Sequence, residues 1–205
     1  MRPLAWLDRL ERSFGDWSIP NPALALVGLN AAVWALSLVK PEFPLLLTLE
    51  PARIMAGEVW RLATFLFIPP PATPFWMFFW LVLFYSFSQA LENEWGEFRF
   101  SVYYGLGAAA TAGLSLALGS GLSNVPLNTS LFLAFAELYP EVELMLFFVV
   151  PVKVRWLGWL AWASVLLQLL GGGWAVRLGL LAGLLNYAVF FGPDKLDLLR
   201  ARLKR

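Results

Sequence analysis

Residues 91–104 read LENEWGEFRFSVYY, and they form the one dense polar island in an otherwise apolar chain. Glu92, Glu94, Glu97 and Arg99 surround Gly96, and on either side lies an apolar stretch long enough to cross a bilayer. The pattern predicts a membrane hairpin turn. Gly96 is suited to the left-handed conformation that ends one helix, and Glu97 then sits at the start of the next, where the helix dipole favours negative charge. Arg99 is placed to pair with Glu92 or Glu94. The charges mark the water interface, so the island fixes topology before it says anything about chemistry.

Composition narrows the class. Of the 205 residues 60% are hydrophobic and 14% charged, with 11 tryptophans, which is incompatible with a water-soluble globule. The expectation is an all-α polytopic membrane protein. A formal net charge of +1, with basic residues lying beside apolar segments, gives no surface for nucleic acid. The chain has no cysteine and no histidine. Disulfides, thiolate nucleophiles and Cys-based metal sites are therefore excluded, and the usual general base and commonest metal ligand are absent. No cofactor is implied.

Working outward, residues 1–19 place Leu4, Trp6, Leu7 and Leu10 at helical spacing, with Asp8, Arg9, Glu11 and Arg12 on the other face. This predicts an interfacial amphipathic helix, with no small-residue cleavage site after it. Residues 20–192 form the membrane domain. The first span is expected over 21–39. From 42 to 71 the chain is apolar but interrupted by Pro44, Pro51 and Pro69–Pro71, and charged at Glu50, Arg53, Glu58 and Arg61. A segment of this kind dips into the interface with its irregular backbone shielded by protein. Within it Trp60 and Arg61 read as an interfacial anchor, ring at headgroup level and guanidinium reaching water or phosphate.

The second span is expected over 74–92 and the third over 98–118, where Gly105, Ala109, Gly113 and Ala117 offer a small-residue face for a neighbouring helix. A short fourth helix is expected over 129–139, opened by Asn128, Thr129 and Ser130 and ended before Pro140. These three polar residues either cap a buried helix start or form a client-binding pocket. Residues 141–152 read as an apolar connection, a fifth span follows to about 170, and the sixth occupies 174–191 with Gly179 and Gly183 on a packing face. Gln168 and Asn186 are expected to bond across helices. Glu137 is expected at the interface, pairing with Lys153 or Arg155, the alternative being a proton relay. Residues 193–205 form a basic amphipathic tail suited to an anionic leaflet. Eleven of the 15 Lys and Arg fall at the N-terminus, the island, the connection at Lys153 and Arg155, and the tail; Lys40, Arg53, Arg61 and Arg177 fall opposite. Both termini are thus expected in the cytoplasm, in a plasma (inner) membrane.

The ordered set of GEVWRLATFLF (57–67), LENEWGEFRFSVYYGLG (91–107) and LYPEVELMLFFVVPVKVRWLGWL (138–160) resembles the rhomboid superfamily. Glu92, Gly96 and Arg99 stand at the spacing of its Glu-x-x-x-Gly-x-x-Arg hairpin, and Tyr139-Pro140 with Pro151-Val152-Lys153 resembles the run after its nucleophile helix. The resemblance implies a six-helix bundle with an embedded first loop and a short fourth helix. It also implies a serine in the fourth helix and a histidine in the sixth. Here those regions read VPLNTSLFLAF, around Ser130, and RLGLLAGLL, where Leu180 takes the place of the base. A serine without a positioned base is a poor nucleophile at neutral pH.

The chain thus resembles the inactive rhomboid-like proteins that include derlins, whose Trp-Arg motif Trp60-Arg61 matches. The resemblance implies binding of transmembrane clients in quality control, trafficking or scaffolding, with membrane lipids and transmembrane segments of other proteins as partners. Helices 2 and 5 with the embedded loop would form the lateral gate. The other reading is a hydrolase or transporter of unfamiliar chemistry using Ser130, Glu137 or Arg177.

Overall fold

The computed structural model describes residues 5–15, 18–146 and 150–193. Helix α1 (Ala5–Phe14) is followed by α2 (Pro22–Val39), α3 (Pro51–Met55), α4 (Arg61–Thr64), α5 (Pro74–Trp95), α6 (Glu97–Leu118) and α7 (Val125–Leu138). Strands β1 (Glu143–Leu146) and β2 (Val150–Lys153) precede α8 (Val154–Gly171), α9 (Trp174–Gly183) and α10 (Leu185–Pro193). The basic tail beyond residue 193 lies outside the described residues.

Among the described residues α2, α5, α6 and α8 are long and apolar enough to cross a membrane, and α9 with α10, bent by 49°, makes a fifth such element. Helix α7, at 14 residues, is too short to span alone. The bundle is held by α6 against α9, α2 against α5 and α7 against α8. Helix α6 is central, packing against α9, α5 and α7, but not through the face expected. Gly105, Ala109, Gly113 and Ala117 are exposed. The buried stripe is instead Tyr104, Gly107, Ala108, Thr111, Ala112 and Ser115. At Gly107 an added Cβ would come within 2.5 Å of Leu127 and 2.9 Å of the Asn186 amide, whereas Gly113 has nothing within 4 Å. Both stripes repeat every four residues, and composition alone does not tell them apart.

The chain is not wholly helical. The run at 141–152, expected as a plain connection, forms an antiparallel hairpin with Leu144 opposite Val152 and Met145 opposite Pro151. Pro140 and Pro151 bar a helix, and the Val- and Leu-rich sequence between them suits a strand. Glu141 ties the hairpin base to Lys153 at 2.6 Å and Arg155 at 3.0 Å. The Lys153 hydrogen bond, with the Arg155 charge behind it, holds the Glu141 carboxyl below its ordinary range.

The island is a tight turn, with a different set of partners from the one expected. Gly96 has φ 84° and ψ 161°, a positive-φ extended conformation open essentially to glycine and distinct from the left-handed helical one. Arg99 pairs with neither Glu92 nor Glu94. Its guanidinium lies 3.0 Å from Asp8 and 2.6 Å from Glu11, clamping α1 to the start of α6, while Leu7 is buried and Trp6 meets Phe190 edge-on. Glu92 and Glu97 turn to α2. The Ala23 amide donates to Glu92 at 2.8 Å and the Asn21 amide to Glu97 at 2.9 Å, so the open start of α2 is capped by carboxylates from the distant turn.

Candidate functional site

The segment between α2 and α5 carries no spanning helix and is organised by Arg61. Trp60 is half exposed, but Arg61 is only 1% exposed, which overturns the expectation that its guanidinium reaches water or phosphate. It donates to Glu58 at 2.7 Å and to the carbonyls of Leu45 at 3.0 Å and Thr48 at 2.9 Å, stitching the turn at 43–46 to α4. The hydrogen bond from Arg61 holds the Glu58 carboxyl below its ordinary range. The segment is pinned to the rest of the fold by a bridge between Leu49 and Leu122. Further along, the amide of Asn124 donates to the carbonyls of Leu66 at 3.2 Å and Ile68 at 2.9 Å, and that of Asn30 to Leu66 at 3.4 Å. Two buried asparagines thus fix the backbone just before the Pro69–Pro71 run.

That proline run is one lip of a cleft of about 600 Å³. Its walls are Trp80, Leu83, Phe84 and Phe87 of α5 and Ala161, Ser164, Val165 and Gln168 of α8, and its floor is α7 with Leu180 of α9. Helix α7 begins at Val125 with Pro126 in its first turn, four residues before the expected start at Thr129. Asn128, Thr129 and Ser130 therefore lie inside the helix and cap nothing. The Asn128 carbonyl oxygen accepts from the Tyr104 hydroxyl at 2.9 Å, and Thr129 donates to its own helix at Val125. Both line the cleft together with Leu180.

Ser130 does not share the cleft with Leu180. It is fully buried on the α6 side, its hydroxyl donating to the Leu127 carbonyl at 2.7 Å while its own carbonyl accepts from Tyr103 at 2.8 Å. Gly179 and Gly183 lie where α9 meets the start of α7: a Cβ at Gly183 would come within 2.5 Å of Pro126, and one at Gly179 within 3.2 Å of Leu122. Glu92, Gly96 and Arg99 are at the other end of α5 and α6 and take no part in the cleft.

Other polar expectations are also redistributed. Gln168 donates to Ser164 one turn back in its own helix, placing its amide in the cleft wall instead of bridging helices. Glu137 accepts from the Tyr187 hydroxyl at 2.9 Å, while Lys153 and Arg155 are engaged by Glu141. Arg177 reaches back to the Leu170 carbonyl and stacks over Trp174. No group of His, Cys, Asp and Glu able to hold a metal occurs among the described residues. Asn124 and the proline lip were not singled out from sequence, although Asn124 two residues before Pro126 is a helix-start signal.

No curated protein matches the chain. The model of the Der1-like family matches residues 23–196, from the start of α2 to just past α10. A match over that range takes in the whole bundle, the Arg61 segment and the cleft, and the chain therefore belongs to the Der1-like family, the derlins of the rhomboid-like superfamily of multi-pass membrane proteins.

Proposed function

We propose that this derlin-like protein is proteolytically inactive and binds transmembrane helices of client proteins through the cleft between α5 and α8, in membrane protein quality control, trafficking or scaffolding. The observation that carries the reading is the make-up of the cleft. Its walls are mostly aromatic and aliphatic, its floor offers the amide of Asn128 and the hydroxyl of Thr129, and its lining includes Leu180, which the rhomboid resemblance sets in the place of the base. An apolar helix entering from lipid would find close packing there and uncharged hydrogen-bond partners for a polar side chain. Hydrolysis is disfavoured by the same geometry, because the Ser130 hydroxyl is buried and committed to Leu127, away from Leu180. The resting architecture is six helices, with α7 as the half-length member and α9 with α10 as one bent span. Both termini face the cytoplasm across a plasma (inner) membrane.

Photo-crosslinking in native membranes from probes at Thr129 and Leu180 tests this. Discrete protein adducts, competed by excess unlabelled chain and lost in a Ser164→Trp variant that fills the cleft, are expected. Adducts to lipid alone would overturn client binding at this site. Labelling by a serine-directed phosphonate that disappears in Ser130→Ala would overturn the inactive reading.

A further inference from the structure

Two asparagines on the floor of the α5–α8 cleft are each tied at one end and open at the other. Asn124 and Asn128 stand four residues apart, and the Asn128 backbone N–H donates to the Asn124 carbonyl at 2.9 Å, so they share one face of α7 a single turn apart. Side chains related in this way lie about 5–6 Å apart at Cβ. The Nδ2 of Asn124 donates to the carbonyls of Leu66 and Ile68, which uses both of its N–H groups and identifies the remaining atom as Oδ1. That oxygen makes no capping bond to α7 and meets no donor among the described residues. Asn128 is the reverse case. Its Oδ1 accepts from the Tyr104 hydroxyl at 2.9 Å, which leaves the Nδ2 with no acceptor among the described residues. The buried Tyr104 hydroxyl needs that acceptor, so the orientation of the Asn128 amide is fixed as well.

The cleft therefore presents, one turn apart, an open acceptor and an open pair of N–H donors. Across it Gln168 spends its Nε2 on Ser164 and leaves its own carbonyl oxygen open. None of the described residues that line the cleft is charged. An ionised carboxylate or a lipid ester brings acceptors only, and an ammonium brings donors only, so each would leave one asparagine facing a like atom. A hydroxyl has one proton and one oxygen to serve both. A carboxamide carries an acceptor oxygen and two N–H groups on separate atoms, which is the complement of the pair. In a helix crossing lipid the backbone groups are already paired internally, so the carboxamide has to come from a side chain.

We infer that the cleft selects client transmembrane helices that carry an asparagine or glutamine within the apolar span, with its oxygen on the Asn128 Nδ2 and its N–H groups on the Asn124 Oδ1. This rests on the client-binding reading of the cleft and adds to it the side chain that is recognised. A carboxamide exposed to lipid is costly for the client, and the cleft is where that cost is relieved.

The test places the full chain, with a photo-crosslinker at Leu180, in lipid nanodiscs with synthetic Leu-Ala transmembrane peptides. Each peptide carries one guest, Leu, Asn, Ser or a Gly-Gly pair, walked turn by turn along the span. At one depth the Asn guest is expected to be captured about tenfold more tightly than the Leu guest, the worth of two interhelical hydrogen bonds, with Ser and Gly-Gly well below Asn. Asn128→Leu, made together with Tyr104→Phe so that no buried hydroxyl is orphaned, is expected to bring the Asn-to-Leu ratio to about one. Because a ratio is read, a general weakening of the cleft cancels, and the thermal unfolding midpoint confirms that the variant is folded. Capture of none of the peptides would overturn client binding and the carboxamide preference together. Leu, Ser or Gly-Gly guests captured as tightly as Asn, or a preference that survives in the folded double variant, would overturn the preference alone.

Discussion

Replacing Arg61 by alanine is expected to unlock the segment between α2 and α5 without unfolding the bundle. The arginine is buried, and its guanidinium is the shared donor for the Leu45 and Thr48 carbonyls and for Glu58. Hydrogen bonds from a charged donor contribute about 1.5–3 kcal/mol each, and carbonyls left buried without a partner cost a similar amount. The Glu58 pair is discounted, because that carboxylate is partly exposed and water screens it. Two carbonyl bonds at the low end give about 3 kcal/mol of local stability, or about a hundredfold in the opening equilibrium. The absence of native cysteine makes the assay clean. A Leu49→Cys thiol, at a position only 2% exposed, reports opening through its rate of alkylation. Arg61→Ala in that background is expected to label about a hundred times faster, and Arg61→Lys, which keeps the charge but not the planar fork, about ten times faster. Labelling of the alanine variant within about threefold of its parent would refute the view that Arg61 organises the segment.

Three further outcomes follow from the packing and the ion pairs. Gly107→Leu is expected to lower the thermal unfolding midpoint in detergent, since overpacking costs about 1–3 kcal/mol, while Gly113→Leu leaves it unchanged; equal shifts would mean that the buried face of α6 is wrongly assigned. Arg99→Ala is expected to release α1, read as a three- to tenfold faster labelling of Leu7→Cys; the effect is modest at about 0.2–1 kcal/mol per pair because both ion pairs are partly exposed, and an unchanged rate would leave α1 held by Leu7 and Trp6 alone. Because the Glu58 carboxyl is depressed below 4.5 in the folded segment, its contribution is present above the unfolded value and lost as pH falls through the lower folded one. The stability difference between the native chain and Glu58→Gln is therefore expected at pH near 6 and should fall away as the pH is lowered past the depressed folded value; a difference that persisted in strong acid would assign the effect to packing.

The spans and their order were legible in the sequence because they depend on length and mean hydropathy, which survive any detail of packing. The island at 91–104 was recognised as a turn for the same reason. Partner choice was not legible. Arg99 had three nearby glutamates in sequence, yet it pairs with Asp8 and Glu11, because α1 folds back over the turn while Glu92 and Glu97 are taken up by the free amides of α2. The α6 faces at Gly105 and Gly107 have the same small-residue period, and only the position of Asn186 and Leu127 selects between them. At the cleft, Asn128 and Thr129 line the floor as mid-helix residues, which removes the capping alternative, because the helix begins at Val125 with Pro126 in its first turn. The hairpin at 143–153 was missed because an apolar run with two prolines is equally compatible with a loop.

The capping of α2 by Glu92 and Glu97 has a consequence for biogenesis. The first span leaves the ribosome tens of residues before the carboxylates that complete it, since Ala23 and Glu92 are 69 positions apart and Asn21 and Glu97 are 76. During that interval its leading amides have only water or lipid headgroups to bond, so the helix is free to ride higher or lower in the bilayer. Arrival of the α5–α6 turn supplies the missing acceptors, so the helix start of α2 is completed by residues made long after it.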